Sequence, residues 1–244
     1  MIHVTIWNEF RHEKAEEAVR ALYPDGIHGC IAGFLSEDKE LDITLACLDD
    51  PDQGLPDAVL NKTDVLFWWG HMAHHEVSDE LVAKIRDRVY HGMGLIVLHS
   101  GHHSKVFRSV VGATGNLSWG REQKEILWNL MPSHPICAGI PDKIYLDSEE
   151  LYSEPFYIPA PEELLFVSWF EDGNVFRSGM CFRRGGGKIF YFQPGHEYCK
   201  SYYNPYVQKI IRNAVHWAKP AEFGFKYGDN IELKQKTIDG FQKD

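Results

Sequence analysis

The sequence predicts an α/β fold: a mostly parallel central sheet with helices on both faces and an antiparallel extension. Residues 1–220 would form one domain and residues 221–244 a tail. Three observations predict it. Through the first half, apolar strand runs alternate with amphipathic helical stretches, the pattern of right-handed crossovers in a parallel sheet. Two of those runs are continuously apolar, as strands buried on both faces require. In the second half the helices drop out, and strand follows strand across glycine turns. A chain of 244 residues is long enough to bury one large core of this kind.

The elements follow in order. Ile2–Trp7 reads as a strand, and Glu13–Tyr23 as a helix with Ala15, Ala18, Val19 and Leu22 at helical spacing. A helical stretch near Ile27–Leu35 leads into Asp42–Leu48, where Ile43, Leu45 and Cys47 alternate. Thr63–Trp69 is a buried strand. Ser78–Tyr90 is a helix with a capping serine, acidic residues in its first turn and an apolar stripe of Leu81, Val82, Ile85 and Val89. Gly94–Leu98 is a second buried strand, and His102–Val111 a helix ended by Gly112. Leu164–Phe170, Val175–Arg183 and Lys188–Gln193 read as strands joined at Asp172-Gly173 and Gly185-Gly186-Gly187. Asn204–Ala218 closes the domain as a helix with Val207, Ile210, Ile211, Ala214 and Val215 on one face. The polar stretch after Pro220 reads as a surface arm or a subunit contact in a homo-oligomer.

Composition narrows the partners. A net charge of −10 argues against a nucleic-acid backbone and against an anionic membrane surface, and fits a small neutral or weakly charged molecule. No charged and apolar leader precedes the first strand, and no apolar run is of bilayer length. The five cysteines are scattered in neither a disulfide framework nor a zinc ribbon, so reduced thiols and a cytoplasmic setting are expected. Seven Trp and eleven Tyr leave rings to spare for stacking on sugar faces, although a core would use them too.

The segment Gly94-Leu95-Ile96-Val97-Leu98-His99-Ser100-Gly101 is the most informative. A buried strand runs into a tight turn with glycine two residues past the tip, then into a helix, as in a nucleophile elbow. Ligands of open parallel sheets bind at the carboxyl ends of the strands, which is where this turn stands. His99 occupies the tip. Ser100 does not, and a full Gly-x-Ser-x-Gly is missing, which argues against a serine nucleophile.

This run resembles the ThuA-like (trehalose utilisation) family. So do His134-Pro135-Ile136 with Gly139-Ile140, Glu149-Glu150-Leu151-Tyr152, and Gly195-His196-Glu197, in that order across residues 2–218. The resemblance implies membership of the class I glutamine amidotransferase-like superfamily. It also implies a flavodoxin-like, three-layer α/β/α sandwich and a link to carbohydrate, through trehalose or a related disaccharide. In amidotransferases the elbow carries Cys-x-Gly. His99-Ser100-Gly101 puts histidine where that thiol would stand, so glutamine hydrolysis through a thiolate is not open to this chain.

Thirteen histidines crowd toward predicted strand ends. Neutral imidazoles and a carboxylate from separate loops can hold zinc or another divalent ion, and the donors expected are His99, Glu150, His196 and His71. The alternative is a hydrogen-bonded polar pocket without metal. His99, Glu150 and His196 are also the candidates for acid–base catalysis. Tyr152, His134, Arg121 and Glu197 are candidates for substrate binding. For His134, before Pro135, a purely structural turn competes with that role; for Arg121, an exposed helix start does. The pair at 149–150 could equally be a solvated acidic loop, and the glutamate at 149 replaces the family's aspartate. His74, His75, His102 and His103 read as solvated or capping, and His3, His12, His28, His91 and His216 carry no further signal. The Rossmann fingerprint is absent and no Lys-Ser or Lys-Thr follows the triple glycine, so neither NAD nor a nucleotide is expected. The leading expectation is an enzyme acting on a sugar or keto-sugar, with a zinc-dependent hydrolase and a non-catalytic sugar-binding or regulatory protein as alternatives.

Overall fold

The computed structural model describes residues 1–221, so the expected tail lies outside the described residues. The elements are β1 (Ile2–Asn8), α1 (His12–Ala15), α2 (Glu17–Leu22), α3 (Gly26–Leu35), β2 (Leu41–Cys47), α4 (Asp57–Lys62), β3 (Val65–Trp69), α5 (Asp79–Tyr90), β4 (Gly94–Leu98), α6 (Lys105–Val111), β5 (Ser118–Asn129), β6 (Lys143–Ser153), β7 (Glu163–Phe170), β8 (Val175–Arg184), β9 (Gly187–Phe192) and α7 (Pro205–Ala218). They build a nine-stranded sheet in the order β2-β1-β3-β4-β9-β8-β7-β5-β6. The first five strands of that order are parallel, and β8, β7, β5 and β6 extend the sheet antiparallel.

Two apolar cores flank the sheet. One packs α3 and α7 against Ile6, Phe67, Ile96 and Phe190; the other packs α5 and α6 against Trp7, Trp68, Val97 and Tyr191. Successive residues of one strand feed opposite cores because strand side chains alternate. The α/β/α layering expected from the sequence is therefore present.

Three expectations need correction. The single helix over 13–23 is two, because Glu16 is extended (φ −120°, ψ 120°). The break turns His12 and Glu13 inward, where Glu13 accepts from the Asn8 amide at 2.7 Å and the Ile27 N–H at 3.0 Å. The helix after the elbow starts at Lys105, since His99–His103 winds as a 3₁₀ turn and Ser104 caps the α-helix by accepting from Phe107. Finally, the helix start at 119–122 and the loop at 149–150 are strand. They belong to the β5–β6 hairpin, whose register shifts between Trp119 and Glu122 and again between Gln123 and Glu125. Such bulges bend a ribbon and re-aim its side chains. Here they erase the alternation that would have revealed β5, while Glu149, Glu150, Leu151 and Tyr152 are buried in succession.

Candidate active site

Four parallel strands deliver side chains to one point at their carboxyl ends. His12 follows β1, His71 follows β3, His99 follows β4 and His196 follows β9, while Glu150 and Tyr152 arrive from β6. His71, His99, Glu150 and His196 each bring a donor atom within 4.8 Å of the others. These are the four residues expected to hold a divalent ion.

The elbow sets the first donor. His99 has φ 47°, a left-handed conformation that costs a non-glycine residue about 1–2 kcal/mol. The turn is held by the Tyr191 hydroxyl, which donates to the His99 carbonyl at 3.1 Å. A Cβ at Gly101 would stand 2.8 Å from Val97 Cγ1, so glycine lets the turn close on its own strand. The fully buried His99 ring donates from Nδ1 to the Gln193 carbonyl at 2.9 Å, which leaves Nε2 facing Glu150 Oε2 at 3.1 Å and the Tyr152 hydroxyl at 3.4 Å. Burial pulls the His99 pKa down, but the Glu150 carboxylate, helped by Glu149 and Glu197, outweighs it and raises the ring to about 9.

Glu149 builds the turn that carries His196. Its buried carboxylate accepts from the N–H groups of Gly195 (2.8 Å) and His196 (3.0 Å) and from the Ser201 hydroxyl. Gly195 has φ 139°, and a Cβ there would collide with the Tyr202 hydroxyl. The His196 ring is held near 4 by burial and by the neighbouring His99. Its Nε2 lies 3.6 Å from Glu197 Oε1 and 4.0 Å from Glu150 Oε2. Glu9, at the end of β1, accepts from the Met72 and Ala73 N–H groups and so fixes the loop of His71. His71 in turn donates from Nδ1 to Glu197 Oε1 at 3.0 Å. Burial works against the charge on Glu197, yet His71 and its neighbours bring the carboxyl down to about 2.

Beside this cluster lies a cavity of about 360 Å³, lined by His71, Ser100, Glu150 and Tyr152 on one side and by His74, His102, His103, Asn116, Leu117 and Trp119 on the other. Trp119 overhangs it with 73% of its surface exposed. Burial keeps the Tyr152 hydroxyl protonated, and it meets Ser100 Oγ at 3.1 Å. His102 donates from Nδ1 to the Gly115 carbonyl at 2.6 Å, and burial holds its ring and that of His74 neutral, each near 3.

A family model described as trehalose utilisation (ThuA) matches residues 3–218. The chain belongs to the ThuA family. Solved structures agree on the fold. A ThuA-like protein from Parabacteroides merdae superposes with a TM-score of 0.65 at 13% identity, covering 94% of this chain and 92% of that one. A cytoplasmic protein from Salmonella typhimurium gives 0.61 at 14%, covering 89% and 99%. A glutamine amidotransferase from Thermotoga maritima gives 0.52 at 10%, covering 88% and 97%. A search of curated proteins finds no match. The turn after β4 presents the His99 imidazole, and all five cysteines lie elsewhere.

Two expected binding residues are not at the site. Arg121 is exposed on β5 and outside the cavity lining. His134 sits at the amino end of the sheet, its ring 5.7 Å from Trp217, whose carbonyl accepts from Lys188 at the start of β9. There His134 Nδ1 accepts from the Ile136 N–H at 3.2 Å, the structural turn that its place before Pro135 allowed. Conversely, His74, His102 and His103 line the cavity, with His102 buried, His74 half-buried and His103 exposed as expected. His12, which carried no signal in the sequence, is buried with Nε2 3.3 Å from Glu197 Oε1. Its position four residues past a parallel strand was the available clue.

Proposed function

We propose that this chain is a metal-assisted enzyme of carbohydrate utilisation that performs acid–base chemistry on a sugar or keto-sugar. One observation carries the reading. Among the described residues the buried Glu150 carboxylate forms ion pairs only with imidazoles, Oε2 lying 3.1 Å from His99 Nε2, and stands among three such donors within 4.8 Å beside a cavity large enough for a sugar ring. A buried carboxylate needs a positive partner, and a divalent cation on the same donors could replace the proton shared with His99. Three histidines and a glutamate suit zinc or a similar divalent ion, and the carbonyl that orients His99 is the outer support such ligands use.

When bound, the cation would polarise a sugar carbonyl or a water molecule. The protein's own groups do the rest. Tyr152, kept protonated by burial, donates a hydrogen bond to a substrate oxygen. His102 and His74, kept neutral by burial, offer hydrogen-bond acceptors to a substrate hydroxyl. Trp119 offers a flat face at the mouth for a pyranose. The family's trehalose connection supports a substrate derived from a disaccharide, and five free thiols support a reducing, cytoplasmic setting.

The test is a panel of disaccharides and their keto derivatives, assayed with purified protein before and after chelation and with Glu150→Gln. Turnover should appear in the panel and fall about a hundredfold or more in both treatments. Turnover indifferent to chelator, or no turnover and no retained metal, would sink the reading.

A further inference from the structure

The second inference rests on the metal centre just proposed and extends it. We infer that the pocket binds two divalent cations, the second on His12, His71 and Glu197. These three side chains bring donor atoms within 4.8 Å of one another, as the first group does. Glu197 Oε1 is their common point: it lies 3.0 Å from His71 Nδ1 and 3.3 Å from His12 Nε2. The side chains of His12 and Glu197 are 7% and 1% exposed. Each also leaves a buried polar atom without a partner, His12 Nδ1 and Glu197 Oε2. A histidine–carboxylate pair placed only to orient a ligand would be expected to satisfy those atoms.

Charge points the same way. Among the described residues, Glu150 and Glu197 have only imidazoles as ion-pair partners, with no Lys or Arg beside either. Two buried carboxylates answered only by imidazoles, rings that can give up a proton to a cation, leave negative charge that divalent ions would balance. The two donor sets also touch, since His196 Nε2 of the first is 3.6 Å from Glu197 Oε1 of the second. Adjacent ions sharing ligands are the arrangement of two-metal hydrolytic and isomerising sites. His71 would hold the second ion through Nδ1, its ring proton passing from Nδ1 to Nε2. The first group would then be His99, Glu150 and His196, because a neutral His71 ring has a single lone pair to give.

The experiment is a zinc count. The full chain is stripped with chelator, loaded with excess Zn²⁺, passed through gel filtration and measured for metal and protein. Two ions per chain are expected, falling to one in His12→Gln and in Glu197→Gln, with circular dichroism confirming that each variant folds. Cobalt replacement gives a second readout: paired Co²⁺ ions should show magnetic coupling that vanishes in both variants. One zinc in the wild type, or two retained in His12→Gln, overturns the second site. If the single ion is then lost in Glu150→Gln, the centre of the proposed function stands alone. A chain that retains no zinc removes both.

Discussion

At the carboxyl end of the sheet His71, His99, Glu150 and His196 gather within 4.8 Å; at the amino end His134, Glu163 and Cys181 do the same. The residue types are alike and the surroundings are not. Both keep a buried Oε2, but Glu150 has a side chain 9% exposed and lines the cavity, whereas Glu163 is 27% exposed and does not line it. His99 turns Nδ1 to a carbonyl and keeps Nε2 for the pocket, but His134 spends Nδ1 on the Ile136 N–H and packs its ring near Trp217. Burial pushes the Cys181 thiol far up, away from the thiolate a metal would need. Donor proximity is common to both groups. What separates them is whether lone pairs, space and backbone strain are all directed at the same point.

The largest effect that would test this contrast is on the support beneath the site. Glu149→Ala removes the acceptor of the Gly195 and His196 N–H groups and of the Ser201 hydroxyl. Each buried donor left unpaired costs about 1–3 kcal/mol, so a loss of about 3–5 kcal/mol is expected in denaturant unfolding. Glu149→Gln, which retains one carbonyl acceptor, should lose less. Equal losses would mean that Glu149 merely fills space, and the site end would then be no more specifically built than the other.

Much of this was legible in the sequence, for physical reasons that can be named. Strands buried on both faces, such as Val65–Trp69 and Gly94–Leu98, are apolar throughout, and the elbow announces itself by Gly101. The four convergent donors were readable because each follows, or carries, a recognisable motif. The β5–β6 hairpin was not, since its bulges destroy period-two alternation and bring Glu149 and Glu150 under cover together. His12 was hidden for a related reason: the helical spacing around it continues smoothly through Glu16, where the chain in fact breaks. Arg121 and His134 misled because a residue's type and motif say nothing of which end of the sheet receives it.

Acidity offers a subtler probe of the same end. In metal-free protein His99, raised to about 9 from an unfolded value of about 6.5, contributes stability that is full below 6.5 and lost as pH rises toward 9. His196, near 4, and His74 and His102, near 3, act the opposite way. Below about 6.5 the unfolded chain takes up protons that these rings refuse in the fold, so stability drains as pH falls toward 4 and then 3. Glu197, held near 2, adds a further loss below its ordinary range of about 4.3. Glu125, raised to about 8 by burial, joins His99 in losing stability as pH rises, and the melting temperature of chelated protein should peak near pH 6.5. A maximum near pH 9, or a flat profile from about pH 5 to about pH 9, would contradict the arrangement.

The smallest expected effect belongs to the amino end. His134→Ala removes the acceptor that starts the turn at Pro135 and some contact with Trp217. Loss of such a cap costs about 1 kcal/mol, which a modest shift of the denaturation midpoint would register. The zinc count and the turnover of the variant should stay at wild-type values, because nothing about His134 reaches the cavity lining. A decisive control is His134→Asn, whose side chain can cap the same N–H and should recover most of the stability. If His134→Ala instead lost metal or activity at unchanged stability, the amino-end group would be chemical after all. The distinction between directed and merely adjacent donors would then fail where it is easiest to measure.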